Sequence, residues 1–416
     1  MVITKKLESG IRLVLEEIPH VQSVSIGIWV KTGAVDETAR HAGISHFIEH
    51  MMFKGTKKRS ARAIAEDIDK IGGQINAFTG KEATCYYVKA IYSNYKQAAD
   101  VLVDMLSESL LDREEMNKER QVICEEIKMT QDTPDDLAHD TVSSLIFKGT
   151  PLGNSIIGTP TSLKRITRNV MSEYLYNEYT RDSIVISAAG KFDPEDVCAY
   201  FSDKFLSLKA EKAPKEDAAA AYTPACRTIV KEIEQSHICL AAKGISQRDD
   251  RYYSFAVLNN VMGGSMSSRL FQHIREQKGL AYSVYSMAGY FSRDGYYNIY
   301  AGVSHDKIKE AILGIREELW NLAEHGITEE ELNSSREQLK AAYIFGQENA
   351  AGRMFKNGKN TLLGNPILTA EEVISGFDSV KMEDIEAVKS LICDFEKYSA
   401  VCVTGKKTDL NRIMRG

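Results

Sequence analysis

Two histidines and a glutamate occur within a stretch of five residues, as His46, Glu49 and His50. On an α-helix, residues four apart project from the same face, so both imidazoles can bind one metal ion. Glu49 follows His46 by three residues, close enough to activate a water molecule on the metal without being a ligand. A catalytic zinc site uses three protein ligands and keeps a fourth position for water, so a third ligand must come from elsewhere.

The third ligand is predicted on a later helix. Residues 113–130 have helical periodicity, and the apolar positions that anchor this helix are Met116, Val122, Ile123 and Ile127. Glu119 and Glu126 are about two turns apart and therefore share one face. A carboxylate pair facing the core costs free energy unless a cation offsets it, and a zinc ion held by the two histidines would do so. We therefore predict Glu126 as the third ligand and Glu119 as a carboxylate that orients a ligand or the water. The alternative for Glu119 is a solvated helix face.

The elements that must position these residues occur twice along the chain. A charged, alanine-rich segment at 209–228 is typical of a solvent-exposed linker and divides the 416 residues into similar halves. Each half runs from a strand to a helix, a Gly-Gly pair, a Tyr-Tyr strand and two further helices. We predict an α+β fold of two homologous domains, 1–208 with the zinc site and 229–416 without it.

Composition excludes several classes of function. A net charge of −6 gives no basic footprint for nucleic acid, and no apolar run approaches the roughly 20 residues of a membrane span. The N-terminus resembles neither a signal peptide nor a transit helix. Seven scattered cysteines without a C-x-x-C pair suit a reducing compartment. These features predict a cytoplasmic protein.

The motifs resemble one family of enzymes. The H-x-x-E-H order is that of the inverzincin group of zinc peptidases. Three segments resemble the pitrilysin family of zinc metallopeptidases: HAGISHFIEHMMFKGT at 41–56, GGQINAFT at 72–79 and SSRLFQHIRE at 267–276. Within that family, they are similar to the processing-peptidase branch, which includes mitochondrial processing peptidase and its bacterial relatives. The spacing of Glu119 and Glu126 is similar to the distal ligand arrangement of that family.

The resemblance implies a zinc-dependent endopeptidase with one Zn²⁺ per chain, acting on peptides inside a chamber of four repeated α+β domains. One chain supplies two such domains, so a second copy would complete the chamber as a homodimer. The family's Arg and Tyr pair matches Arg275 and Tyr282. These groups would reach the zinc of the partner subunit and bind the oxyanion or substrate backbone. Without the resemblance, they could form a simple surface pair.

An edge strand over 75–80 is predicted to bind the substrate by main-chain hydrogen bonds. Asn76 and Ala77 are the candidate contacts, and Ala77 is small enough for close approach. Asn76 could equally serve the turn that follows the Gly-Gly pair. Two rival hypotheses remain for the whole chain: a non-catalytic scaffold, as in the core subunits of the cytochrome bc1 complex, and the active partner of a heterodimeric processing peptidase.

Overall fold

A computed structural model describes residues 2–213 and 221–415. Its strands form two sheets. The strands are β1 (Val2–Lys6), β2 (Arg12–Glu17), β3 (Ser23–Val30), β4 (Gln74–Thr79), β5 (Thr84–Ile91), β6 (Ile184–Gly190), β7 (Cys226–Val230), β8 (Ser236–Lys243), β9 (Ala281–Tyr290), β10 (Gly295–Val303) and β11 (Ser399–Thr404).

Helices separate these strands and follow them. They are α1 (Ile44–Met52), α2 (Ala61–Lys70), α3 (Tyr95–Glu108), α4 (Arg113–Asp132), α5 (Pro134–Ile146), α6 (Pro160–Arg165), α7 (Arg168–Glu178), α8 (Pro194–Phe201), α9 (Tyr252–Asn259), α10 (Ile308–His325), α11 (Glu329–Gly346), α12 (Ala350–Leu363), α13 (Ala370–Asp378), α14 (Met382–Cys393) and α15 (Leu410–Arg415). Two π-helical segments, Asn260–Gly264 and Phe271–Gln277, follow α9.

The two sheets repeat one topology. The first has the strand order β1-β2-β6-β3-β5-β4, and the second has the order β7-β11-β8-β10-β9. Without β1, each strand of the first sheet has a counterpart at the same place in the second. The pairs β2/β6 and β7/β11 are parallel, whereas the other pairs are antiparallel. The predicted α+β fold is confirmed, and the matching order supports the predicted duplication.

The chain forms two compact units, each built around one sheet. Unit 1 takes its described residues from Met1–Ile127, Asn154–Ala218 and Phe345–Ile367, and unit 2 takes them from Lys128–Gly153, Ala219–Ile344 and Leu368–Gly416. Each unit therefore includes a segment from the other half of the sequence. Of the predicted linker 209–228, residues 214–220 lie outside the described residues, and β7 begins within its last part at Cys226.

In unit 1, helices of the first half cover one face of the sheet and α12 covers the other. The first core contains Ile26, Phe47 and Leu102. On the opposite face, α12 packs on β3 and β6, and Gly27 leaves room for it because a Cβ there would lie 2.4 Å from Met354 Sδ. The α12 helix is also fixed by Arg353, whose guanidinium lies 2.7 Å from the carboxylate of Glu16.

Unit 2 has the reciprocal arrangement. Its own helices form a core with Leu240, Phe255 and Ile299 on one face of the sheet. The other face is covered by α5 of the first half, which packs on β8 and β11 with Val142 and Ile146 against Val401. Each sheet thus has two covered faces, one of them closed by a single helix from the other half.

Candidate metal centre

The helix α1 carries the H-x-x-E-H motif, and a buried carboxylate fixes its start. Gly43 precedes the helix with φ of +89°, a conformation that favours glycine. The carboxylate of Glu37 accepts hydrogen bonds from the backbone N–H groups of Gly43 at 2.7 Å and Ser45 at 2.8 Å. Burial raises the pKa of Glu37 to about 7, although these hydrogen bonds oppose the shift. Phe47, Ile48 and Met51 face the core, so the orientation of α1 is set by packing as well as by its first turn.

The three predicted ligands lie together. Oε2 of Glu126 on α4 is 3.8 Å from Nε2 of His46 and 3.6 Å from Nε2 of His50. One ligand atom from each residue lies within 4.8 Å of the others, and across the described residues this is the one group of three such side chains with that property. Both distances are too long for hydrogen bonds. They are close to the distance between two ligand atoms of a tetrahedral zinc site, which is about 3.4 Å. The donor set fits a zinc ion.

The protonation of His46 suits a ligand. Burial, and to a smaller extent the neighbouring His50, lowers the pKa of His46 to about 4. The imidazole is therefore neutral at pH 7, which is the form that binds zinc. Its other ring nitrogen, Nδ1, is buried and has no hydrogen-bond partner among the described residues.

Glu119 lies behind His50. Its Oε2 is 3.0 Å from Nδ1 of His50, and its Oε1 is 2.7 Å from Nζ of Lys54. Burial alone would raise the pKa of Glu119, but the hydrogen bonds with Lys54 and His50 hold it below its usual value. This contact at Nδ1 leaves Nε2, the other ring nitrogen of His50, facing Glu126.

Glu49 is held beside the cluster by β4. The hydroxyl of Thr79 donates a hydrogen bond to Oε2 of Glu49. Burial raises the pKa of Glu49, and the hydrogen bond from Thr79 partly opposes that shift. Thr79 and Lys54 were missed as site residues, although both belong to the segments that resemble the peptidase family.

β4, the last strand of its sheet within the described chain, pairs with β5 alone. Asn76 is exposed and its side-chain oxygen accepts a hydrogen bond from the backbone N–H of Ala77 at 2.8 Å. Ala77 is partly buried against the core of unit 1. The edge strand is present as predicted, and it ends at the residue that contacts Glu49.

Arg275 and Tyr282 belong to unit 2, where they contact each other. The guanidinium of Arg275 lies 5.6 Å from the ring centre of Tyr282 and 4.7 Å from that of Phe271. Tyr282 is 75% exposed at the start of β9. The pair therefore forms a cation–π contact with one face open to solvent.

Comparison with known proteins identifies the family. The model of Insulinase (Peptidase family M16) matches residues 12–160, and that of the Peptidase M16 inactive domain matches residues 165–339. The uncharacterized zinc protease YmxG of Bacillus subtilis is 42% identical over 92% of this chain and 93% of its own. This chain belongs to peptidase family M16. The predicted family is confirmed, and the second M16 match agrees with a second half that lacks the H-x-x-E-H motif.

Other members and solved structures agree. An uncharacterized zinc protease of Streptomyces coelicolor is 36% identical over 92% of this chain and 85% of its own. A peptidase M16 inactive domain from Pseudomonas fluorescens has a TM-score of 0.91 at 16% identity, over 98% of both chains. A protease from Helicobacter pylori has a TM-score of 0.86 at 19% identity, over 97% of this chain and 99% of its own. These structures share the fold. None of the described helices has both the length and the apolar character needed to cross a membrane.

Proposed function

We propose that this chain is a zinc-dependent endopeptidase that hydrolyses peptides or unfolded segments. One observation carries the proposal: the ligand atoms of His46, His50 and Glu126 lie within 4.8 Å of one another, with Glu49 held beside them by Thr79. The names of the relatives, which are called zinc proteases, support it.

Each residue of the site has a distinct role in this proposal. His46, His50 and Glu126 hold the zinc ion, which when bound polarises a carbonyl group and lowers the pKa of water. Glu49 accepts the proton of the attacking water and delivers it to the leaving amine. Its raised pKa brings it closer to neutrality, where a general base works best. Glu119 keeps the His50 ring in position through the contact at Nδ1.

The edge of β4 binds the substrate in an extended conformation. A peptide that pairs with this edge forms main-chain hydrogen bonds irrespective of its side chains, with Asn76 and Ala77 along the contact. Thr79, at the end of the same strand, touches the general base. A peptide paired with β4 therefore lies next to Glu49.

We further propose that two copies of the chain act together in the cytoplasm, with the domain at 229–416 serving the zinc domain of the partner. The open face of the Arg275–Tyr282 pair supports this role, since it is free to meet a substrate. Mixing an Arg275→Ala chain with a Glu49→Gln chain should restore activity, because one composite site would then be intact. No recovery after demonstrated subunit exchange would contradict sites shared between subunits.

The rival functions are a non-catalytic scaffold and one subunit of a heterodimer. A chain of Complex III2 from Candida albicans has a TM-score of 0.87 with this chain at 18% identity, which relates the folds alone. A scaffold has no need of two histidines and a carboxylate around a shared centre. The cluster in unit 1 favours the enzyme.

The direct test measures both the zinc content of the protein and its cleavage of peptides. The purified full chain is expected to contain one zinc ion, measured by mass spectrometry, and to cleave members of a fluorogenic peptide library. A chelator should abolish cleavage, and added zinc should restore it. Cleavage that survives complete removal of the metal would contradict the proposal, as would a chain that binds no zinc.

A further inference from the structure

Lys54 lies just after α1, and its ammonium group reaches the rear of the candidate metal centre. Its Nζ is 2.7 Å from Oε1 of Glu119, whose side chain is only 8% exposed. The other carboxylate oxygen of Glu119, Oε2, is 3.0 Å from Nδ1 of His50. Each oxygen of this carboxylate therefore has a partner, one a cation and the other an imidazole. A carboxylate held at both oxygens cannot rotate without breaking one of the two contacts.

The charge on Glu119 determines which ring nitrogen of His50 is available to a metal ion. An ionised carboxylate accepts hydrogen bonds and has no proton to donate. The single ring proton of a neutral His50 therefore lies on Nδ1, beside Glu119, and the free lone pair lies on Nε2. Nε2 is the atom that is 3.6 Å from Oε2 of Glu126. Because a buried carboxylate is costly without a compensating cation, Lys54 supports this arrangement from behind.

The loop that carries Lys54 is fixed further along by a second basic side chain. The guanidinium of Arg59 lies 3.0 Å from the carboxylate of Asp67, 2.6 Å from that of Asp100 and 2.7 Å from that of Asp104. Asp67 belongs to α2, and the other two aspartates belong to α3. The loop is therefore held by α1 before it and by these ion pairs after it. Lys54 extends toward Glu119 from a backbone that is fixed at both ends.

Lys57 lies in the same loop and forms an ion pair of the same length in a different environment. Its Nζ is 2.7 Å from Oε2 of Glu108, and the two side chains are 72% and 35% exposed. Solvent weakens such a surface pair, whereas the partner of Lys54 is buried. Lys57 is therefore a matched control, with the same charge, loop and distance but without Glu119 as its partner.

We infer that Lys54 is a positioning residue of the metal centre: it keeps Glu119 charged and fixed, and through Glu119 it holds His50 with Nε2 free for zinc. The inference rests on the proposed zinc site and adds to it a residue that does not touch the metal. Because Lys54 acts through Glu119, replacing Lys54 should have no effect on zinc binding once Glu119 has lost its charge.

Zinc affinity in single and double variants tests this dependence. Competition with a chromogenic chelator gives the Kd for zinc of full chains with Lys54→Met, Glu119→Gln or both. Lys54→Met alone should raise Kd by about 10-fold, at the lower end of the range for losing an outer partner of a ligand. In the Glu119→Gln chain, the same change should alter Kd by less than about twofold. Lys54→Arg keeps the charge and should retain most of the affinity, and Lys57→Met should leave Kd unchanged.

An equal loss of zinc affinity on Lys54→Met in both backgrounds would overturn the inference, because Lys54 would then act through packing rather than through Glu119. Unchanged zinc binding in Lys54→Met, or the same loss in Lys57→Met, would also overturn it. If Lys54→Met alone fails to fold, the double variant still decides: a further loss relative to Glu119→Gln contradicts the inference, and an equal Kd supports it. Zinc binding with the expected ratios but without peptide cleavage would remove the proposed function and leave the inference. A chain that binds no zinc would remove both.

Discussion

Units 1 and 2 share five strands in matching order and a corresponding pair of helices, yet unit 1 joins these two helices by charged side chains and unit 2 joins them by neutral amides. In unit 1, α1 is linked to α4 by His50 and Glu119. In unit 2, the π-helical extension of α9 is linked to α11 by Asn260, whose Nδ2 donates to Oε1 of Gln338 at 2.8 Å. Ser335 of α11 corresponds in sequence order to Glu119, and both are buried. An ordinary pair of amides therefore suffices to join these helices.

The difference between the two helix pairs indicates a function for the charged side chains of unit 1. Burying histidines and carboxylates costs free energy unless each charge is offset, and unit 2 joins the corresponding two helices without them. Ala342 stands in sequence order where unit 1 has Glu126. The charged residues of unit 1 are therefore best explained by chemistry at a metal ion.

Replacing Glu49, the proposed general base, should have the largest effect. Glu49→Gln keeps the shape of the side chain but cannot accept a proton, so kcat should fall by about 10²- to 10⁴-fold. Zinc content should not change, because Glu49 is not among the three proposed ligands. The measurement is steady-state cleavage of the best peptide from the library, together with metal analysis. Turnover near that of the unaltered chain would show that another group acts as base.

Glu126→Ala introduces the residue that unit 2 has at the corresponding place. It removes one of the three proposed ligand groups. Losing a residue that only hydrogen-bonds to a ligand lowers zinc affinity by about 10- to 100-fold, so the loss here should be larger. Competition with a chromogenic chelator measures this affinity. Glu125→Ala is the matched control, because Glu125 is the exposed neighbour on the same helix. Equal zinc affinity in both variants would place the third ligand elsewhere.

Much of the fold could be predicted from the sequence because the signals are local. Helical periodicity over 113–130 predicted α4, which is observed at Arg113–Asp132, and the edge strand predicted over 75–80 is observed as β4 at Gln74–Thr79. The exchange of α5 and α12 between the units could not be predicted. Their amphipathic patterns show that each helix has an apolar face, but no local pattern states which sheet that face will cover.

For the candidate site as well, the features set by local spacing could be predicted and those set by tertiary packing could not. Helical spacing predicted that His46 and His50 share a face, and their ring centres lie 4.7 Å apart. The contacts of Thr79 with Glu49 and of Lys54 with Glu119 depend on how β4, α1 and α4 pack together. Those distances are set by tertiary structure, which spacing along one helix does not determine.

The carboxylates of Glu37, before α1, and Asp249, before α9, should give opposite pH dependences. Burial raises the pKa of Glu37 to about 7, so the folded state holds a proton that the unfolded state has released. Stability should therefore fall as pH rises from about 4.5 to about 7, by about 1.4 kcal/mol per pH unit and about 3 kcal/mol in all. Asp249 of unit 2 instead binds Arg251, which holds its pKa below the usual value. The stability that this ion pair contributes is present above the pKa that Asp249 has in the unfolded state. It is lost as the pH falls through the lower pKa that Asp249 has in the folded state.

Urea unfolding at several pH values tests both signs. Trp29 of unit 1 and Trp320 of unit 2 are the two tryptophans, so a Trp→Phe change at either one leaves a reporter for the other unit. Comparison with Glu37→Gln should reveal the slope in unit 1, and comparison with Asp249→Asn should reveal the opposite slope in unit 2. Parallel pH profiles of Glu37→Gln and the unaltered chain would contradict the raised pKa.

Losing the carboxylate behind His50 should have the smallest effect on the metal. Glu119→Gln can still contact His50 but no longer balances Lys54, so zinc affinity should fall by about 10- to 100-fold. The reciprocal change, Ser335→Glu in unit 2, should create no zinc site and should lower stability, because it buries a carboxylate without a cation. If Glu119→Gln bound zinc as tightly as the unaltered chain, the charge behind His50 would serve the packing of α1 on α4 rather than the metal. The two units would then differ in function only through the three ligands and Glu49.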